Sequence, residues 1–145
     1  MNLIQAVSAA AERRPDAAAF IFRDRPIPYR DFYATLCLVA QGLHERGIKP
    51  GDIVALHLGF NPLHCIAVLA LARLGAISVP MELTQSVERK RALVKRFGVN
   101  AVLTMEEEGE LEGARLIKLA AIPMDKSRAR MDFIDFMPEA SADFR

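Results

Sequence analysis

Leu3, Ile4, Val7, Ala10 and Ala11 recur at helical spacing behind Asn2, a residue suited to capping. That helix should end near Arg14, because Pro15 disfavours helical geometry in the residue before it. Ala18 to Phe22 is a short apolar strand, and Asp24-Arg25 is expected to turn it into a second strand, Pro26 to Tyr29, whose prolines suit a sheet edge. From Arg30 the period changes. Phe32, Leu36, Val39, Ala40 and Leu43 share one helical face, and Gly47 offers a left-handed stop with Ile48 packing behind it.

Lys49-Pro50-Gly51-Asp52 reads as a turn, with proline at the first corner and glycine at the second, where φ is positive. Ile53 to Leu58 is apolar on both faces except at His57, the pattern of a central strand covered on both sides. A helix then opens at Asn61-Pro62, is apolar nearly all round, and stops at Gly75. Ile77 to Val79 forms a strand closed by Pro80. Ser86 caps the next helix, with Glu88 in its first turn and Lys95 and Arg96 in its last, as the helix dipole favours. Gly98 ends it, and Ala101 to Leu103 is the following strand. The pattern weakens beyond Thr104, leaving Arg115 to Leu119 and Phe133 to Phe136 as candidate strands and the rest from Met124 as loop.

Strand and helix alternating at this rhythm predict an α/β fold, a mostly parallel sheet flanked by helices. At 145 residues the chain reads as a single domain. A net charge of +1 argues against a nucleic-acid partner held by bulk electrostatics. No apolar run approaches the roughly 20 residues of a membrane span. The first residues lack the basic start and apolar core of a secretion signal. Cys37 and Cys65 lie singly in helical patterns and read as buried thiols, so the expected compartment is a reducing cytoplasm.

Candidate chemistry is sparse. The strand-to-helix junction Leu58-Gly59-Phe60-Asn61-Pro62 has one glycine and no lysine, which does not make a phosphate cradle. His57 reads as a hydrogen-bonded core histidine and His44 as solvent-facing. His64 and Cys65, as sequence neighbours, point about 100° apart on a helix and cannot share a metal. Glu106 to Glu108 read as a solvated acidic loop, and Arg89-Lys90-Arg91 as the wet face of a helix. No Gly-x-Ser-x-Gly elbow is present. The residues therefore yield no catalytic, cofactor-binding or metal-binding assignment.

One longer pattern remains. "RRPDAAAFIF" is followed by "IPYRDFYATLCLVAQGLHERGIKPGDIVALHLGFNPLHCIAVLALARLGAISVPM". It resembles the amino-terminal part of the adenylate-forming superfamily, most closely acyl-CoA synthetases. The resemblance rests on Pro15-Asp16, Tyr29 to Phe32, and the spaced set Leu43, Gly47, Pro50, Gly51 and Asp52. Arg73-Leu74-Gly75-Ala76 and Pro80 complete it. It covers residues 2–104 well and 105–145 loosely.

The resemblance implies a partial N-terminal subdomain of the acyl-CoA synthetase-like fold. The parent would be an AMP-forming ligase using ATP, Mg and coenzyme A. The chain would stop short of the phosphate-binding loop, hold no cofactor and be inactive alone. Its expected partners are the remainder of the parent enzyme, and copies of itself, as a homo-oligomer, through apolar surface left uncovered. The rival reading is a stand-alone flavodoxin-like binding module.

Overall fold

A computed structural model describes residues 2–105 and 114–119. Helix α1 (Leu3–Arg13) precedes a hairpin of β1 (Ala18–Phe22) and β2 (Arg25–Pro28). Then follow α2 (Tyr29–Glu45), β3 (Ile53–His57), α3 (Pro62–Arg73), β4 (Ile77–Pro80), α4 (Val87–Phe97), β5 (Ala101–Thr104) and β6 (Arg115–Lys118). The last four strands form one parallel sheet in the order β4-β3-β5-β6, and β1 and β2 pair antiparallel as a separate ribbon. The α/β expectation holds, and β3 is central as its apolar pattern indicated.

Local chemistry accounts for the boundaries. Asn2 caps α1 through a reciprocal pair: its Oδ1 accepts from the Gln5 amide at 2.8 Å and its own amide donates to Gln5 Oε1 at 2.9 Å. Each of α2, α3 and α4 ends in a glycine of positive φ followed by an apolar residue. That residue's amide reaches back to a carbonyl five positions earlier: Ile48 to Leu43, Ala76 to Leu71 and Val99 to Val94. The hairpin differs from expectation. Its two turn residues are Arg23 and Asp24, with φ of 50° and 61°, so the turn lies one residue earlier and is built without glycine.

Alternation along the strands divides the interior. Val54, Leu56, Leu58, Ala101, Leu103, Ile117 and Leu119 face α2 and α3 and form the main core with Leu36, Val39, Leu43, Ile66 and Leu71. Burying each such aliphatic side chain contributes about 1.5–3 kcal/mol. The opposite face is thinner. Ala55 and Val102 pack there against Val94 of α4, with Met81 and Val99. Helix α1 lies on α2 and α3 and has no fully buried residue.

On the outer side of the sheet, β4 directs the amides of Ile77 and Met81 inward, to Asp52 and Leu56 carbonyls at 2.7 and 2.9 Å. By alternation Ser78 and Pro80 point their backbones away from β3. None of the described helices is long and apolar enough to cross a membrane.

Candidate functional site

In open parallel sheets, ligands are met beyond the carboxyl ends of the strands, where neighbouring connections leave for opposite faces. That condition occurs between β3 and β4. The chain leaves β3 for α3 on one face of the sheet and leaves β4 for α4 on the other. The crevice is bordered by Leu58 to Asn61 and Met81 to Ser86.

The β3 exit is tightly made. Gly59 has φ of 71°, and a Cβ placed there would lie 3.0 Å from Leu83 Cδ1, so the loop turns against the β4 exit at a point only glycine fills without strain. Asn61 is 7% exposed. Its Oδ1 accepts from the amides of Leu63 (2.9 Å) and His64 (3.3 Å), and its Nδ2 donates to the Leu58 carbonyl at 2.7 Å. The helix amides that would attract an anion are thus taken by the protein's own cap. Phe60 between them is 92% exposed, its ring 6.3 Å from that of His64. Burial pushes the His64 imidazole below its ordinary pKa.

A second group lies on the α4 side of the same edge. His57, Thr104 and Lys118 are register partners across β3, β5 and β6, and each is the last residue of its strand. Helix α4 joins the carboxyl end of β4 to the amino end of β5, so it runs antiparallel to the strands. Lys90 is four residues nearer its start than Val94, about 6 Å along the axis. Two residues of strand, from Ala55 to His57, span about 6.6 Å in the same direction. Lys90, 8% exposed, therefore shares that end of the sheet with His57 (4%) and Thr104 (1%).

Lys90 corrects the reading of Arg89-Lys90-Arg91 as a wet face: Arg89 and Arg91 are exposed, but the lysine between them turns inward. The signal was available, because Lys90 stands three and four residues before Leu93 and Val94 on the apolar side of the helix. Thr104 and Lys118 carried no such signal. Their proximity to His57 comes from strand order, which local patterns do not encode.

His57 occupies the central strand and is buried; His44 is exposed. His64 and Cys65 sit on α3 as neighbours, and among the described residues no three His, Cys, Asp or Glu side chains stand together as metal ligands would. Both cysteines are free and half-buried rather than enclosed, a second correction. Burial raises the pKa of the Cys65 thiol. Cys37 faces Arg73, whose Nη1 donates to Sγ at 3.0 Å and to Tyr33 Oη at 3.5 Å. Glu106 to Glu108 and Phe133 to Phe136 lie outside the described residues. The phosphates of a nucleotide do not fit what is described at the β3 exit, since the loop has one glycine and no lysine, and Asn61 caps the Leu63 and His64 amides.

The sequence pattern of the AMP-binding enzyme family matches residues 7–143. Pyochelin synthetase PchE of Pseudomonas aeruginosa is 31% identical over 106 residues, 73% of this chain and 7% of the relative. Acetyl-coenzyme A synthetase of Methylobacterium radiotolerans is 34% identical over 127 residues, 83% of this chain and 19% of the relative. The chain thus spans less than a fifth of the length of these relatives. Among solved structures, the Klebsiella oxytoca NpsA N-terminal subdomain in complex with 3-hydroxybenzoyl-AMSN superposes with a TM-score of 0.76 at 22% identity, over 83% of this chain and 30% of that one. O-succinylbenzoate coenzyme A synthetase (MenE) of Bacillus subtilis, in complex with ATP and magnesium, gives 0.73 at 20% identity, over 80% of this chain and 33% of that one. Both likenesses concern the fold.

Proposed function

The chain belongs to the AMP-binding enzyme family, and we propose that it is the amino-terminal scaffold of an acyl-CoA synthetase. Such a ligase converts a carboxylic acid and ATP to an acyl-adenylate and pyrophosphate, then transfers the acyl group to the thiol of coenzyme A with release of AMP. The observation that carries the reading is the family match across residues 7–143 in a chain that spans only a small share of its relatives. The coenzyme A acceptor is supported by the acetyl-coenzyme A synthetases among them. A carrier-protein thiol is the second reading, favoured by the peptide synthetases in the same set.

Catalysis of phosphoryl and adenylyl transfer rests on cations preorganised around the phosphates. In this reading ATP, Mg and coenzyme A belong to the parent enzyme, whose remaining residues are this chain's partner. Cytoplasmic residence belongs to the same reading. Exposed Leu3, Ile21, Phe60, Ile77, Val87 and Phe97 provide apolar surface for self-association of the isolated chain.

The decisive experiment measures pyrophosphate release from purified protein given ATP, Mg and a panel of carboxylates. The 145-residue chain is expected to release none. If the reading frame continues past Arg145, the extended protein is expected to restore release and, with coenzyme A, to yield an acyl thioester. Turnover by the short chain would refute the scaffold reading. Transfer only to a carrier protein would replace the acyl-CoA assignment with the peptide synthetase one. Light scattering tests association: mass should rise with concentration, and a constant monomer would remove that part.

A further inference from the structure

The ribbon of β1 and β2 stands apart from the parallel sheet and has two margins of its own. They are unlike. The turn of Arg23 and Asp24 is closed by the pair Phe22 and Arg25, so Ile21 and Pro26 form the next, non-hydrogen-bonded pair. Main-chain groups at such positions point away from the partner strand. On the β2 margin these positions are Pro26 and Pro28, which have no amide hydrogen to offer. On the β1 margin the position is Ile21, which has both an N–H and a C=O. Among the described residues no main-chain bond from outside the ribbon reaches it.

Strand β1 also lacks the features that ordinarily protect an edge. Ala18 to Phe22 contains no proline and no charge, and Ile21 is 67% exposed. A bulge at Ala19 interrupts the pairing near the start of the strand and leaves Phe20 to Phe22 as its regular part.

We propose that β1 pairs antiparallel with β1 of a second copy of this chain, about a two-fold axis at Ile21, to give a four-stranded ribbon in the order β2-β1-β1-β2. Ile21 exchanges two main-chain hydrogen bonds with Ile21 of the second copy. Phe20 then lies opposite Phe22 of the second copy, and Phe22 opposite its Phe20, as the non-hydrogen-bonded pairs in which side chains approach closest. Aromatic pairs across strands are stabilising, so the short strand is complementary to itself. Charge fixes the register. With Ile21 on the axis, the uncharged strand meets its uncharged copy and Asp24 falls beside Ala18; a slide of two residues sets Asp24 against Asp16. The pairing uses the open margin of both copies and leaves proline margins outside, so assembly closes at a dimer instead of running on as a fibre. It rests on the self-association proposed for the isolated chain, names the surface responsible, and does not depend on the ligase assignment.

The test is sedimentation equilibrium of the full chain over a range of concentrations. The wild type should fit a monomer–dimer equilibrium. Ile21→Glu, which opposes two like charges on the axis, and Ile21→Pro, which removes the outward N–H, should each weaken dimerisation at least about tenfold with an unchanged far-UV circular dichroism spectrum. Phe60→Ser, which removes exposed apolar surface elsewhere, should leave it unchanged. With Cys37 and Cys65 replaced by serine, Ile21→Cys should form a disulfide-linked dimer on oxidation, because directly opposed residues fall within disulfide reach. Leu3→Cys, at 65% a similarly exposed position, should not. Were Ile21→Pro to disturb the hairpin, Ile21→Glu and the crosslink would still decide. A monomer at every concentration would overturn the proposal. So would a dimer that survives Ile21→Glu, or crosslinking no faster at position 21 than at position 3; in those cases the chain self-associates, but through another surface.

Discussion

Asn61→Ala should be among the most damaging single changes in this chain outside the aliphatic core. The side chain serves two segments at once. Its oxygen caps the first amides of α3, and loss of such a cap costs about 1 kcal/mol. Its nitrogen satisfies the Leu58 carbonyl at 2.7 Å, and a buried acceptor stripped of its donor costs a further 1–3 kcal/mol or so. The sum is about 2–4 kcal/mol. With a urea slope of about 2 kcal/mol per molar, the unfolding midpoint should fall by roughly 1–2 M without a change in slope.

Asn61→Asp sharpens the test. Aspartate keeps the capping oxygen but sets a carboxylate oxygen where the donor to Leu58 stood, so it should recover at most the cap. A midpoint shift below about 0.3 M for alanine, or wild-type stability for aspartate, would refute the double role.

Three further outcomes follow from particular positions. Gly75→Ala should destabilise more than Gly98→Ala: both have positive φ, but a Cβ at 75 would sit 3.3 Å from Pro50 Cβ whereas one at 98 meets nothing within 4 Å, and thermal melts of the two should differ by a few degrees. Lys90→Ala should cost about 1–2 kcal/mol and Arg91→Ala under about 0.5, since only the former removes a buried stem; equal chemical denaturation midpoints would contradict the placement of Lys90. His64 is held below its ordinary pKa by burial, so the unfolded chain binds its proton more readily. Stability should be level above about pH 7 and fall as pH drops through the unfolded value near 6.5 towards the lower folded one, and His64→Gln should flatten that fall.

Much of this architecture is written locally. The glycine-apolar pairs at 47, 75 and 98 mark helix ends because the left-handed residue and its buried successor are adjacent in the chain, and the structure puts all three there. The Lys49 to Asp52 turn is equally local, with Gly51 at φ of 85°. The hairpin was misplaced by one residue because Arg23 carries none of the side-chain cues that ordinarily betray a left-handed position.

What escaped entirely is the row of His57, Thr104 and Lys118. Each is unremarkable in its own segment, and they meet only because β5 pairs with β3 while β4 takes the other side.

The imino acid at position 80 has a directional effect on the sheet. A regular ladder along the outer margin of β4 would draw hydrogens from both 78 and 80, and only the serine has one to give. An incoming extended segment would be held there at half strength. Of the two flanks of the sheet among the described residues, the one formed by Arg115–Lys118 contains no proline, so enlargement of this framework, or capture of a foreign peptide by main-chain pairing, is biased to that flank.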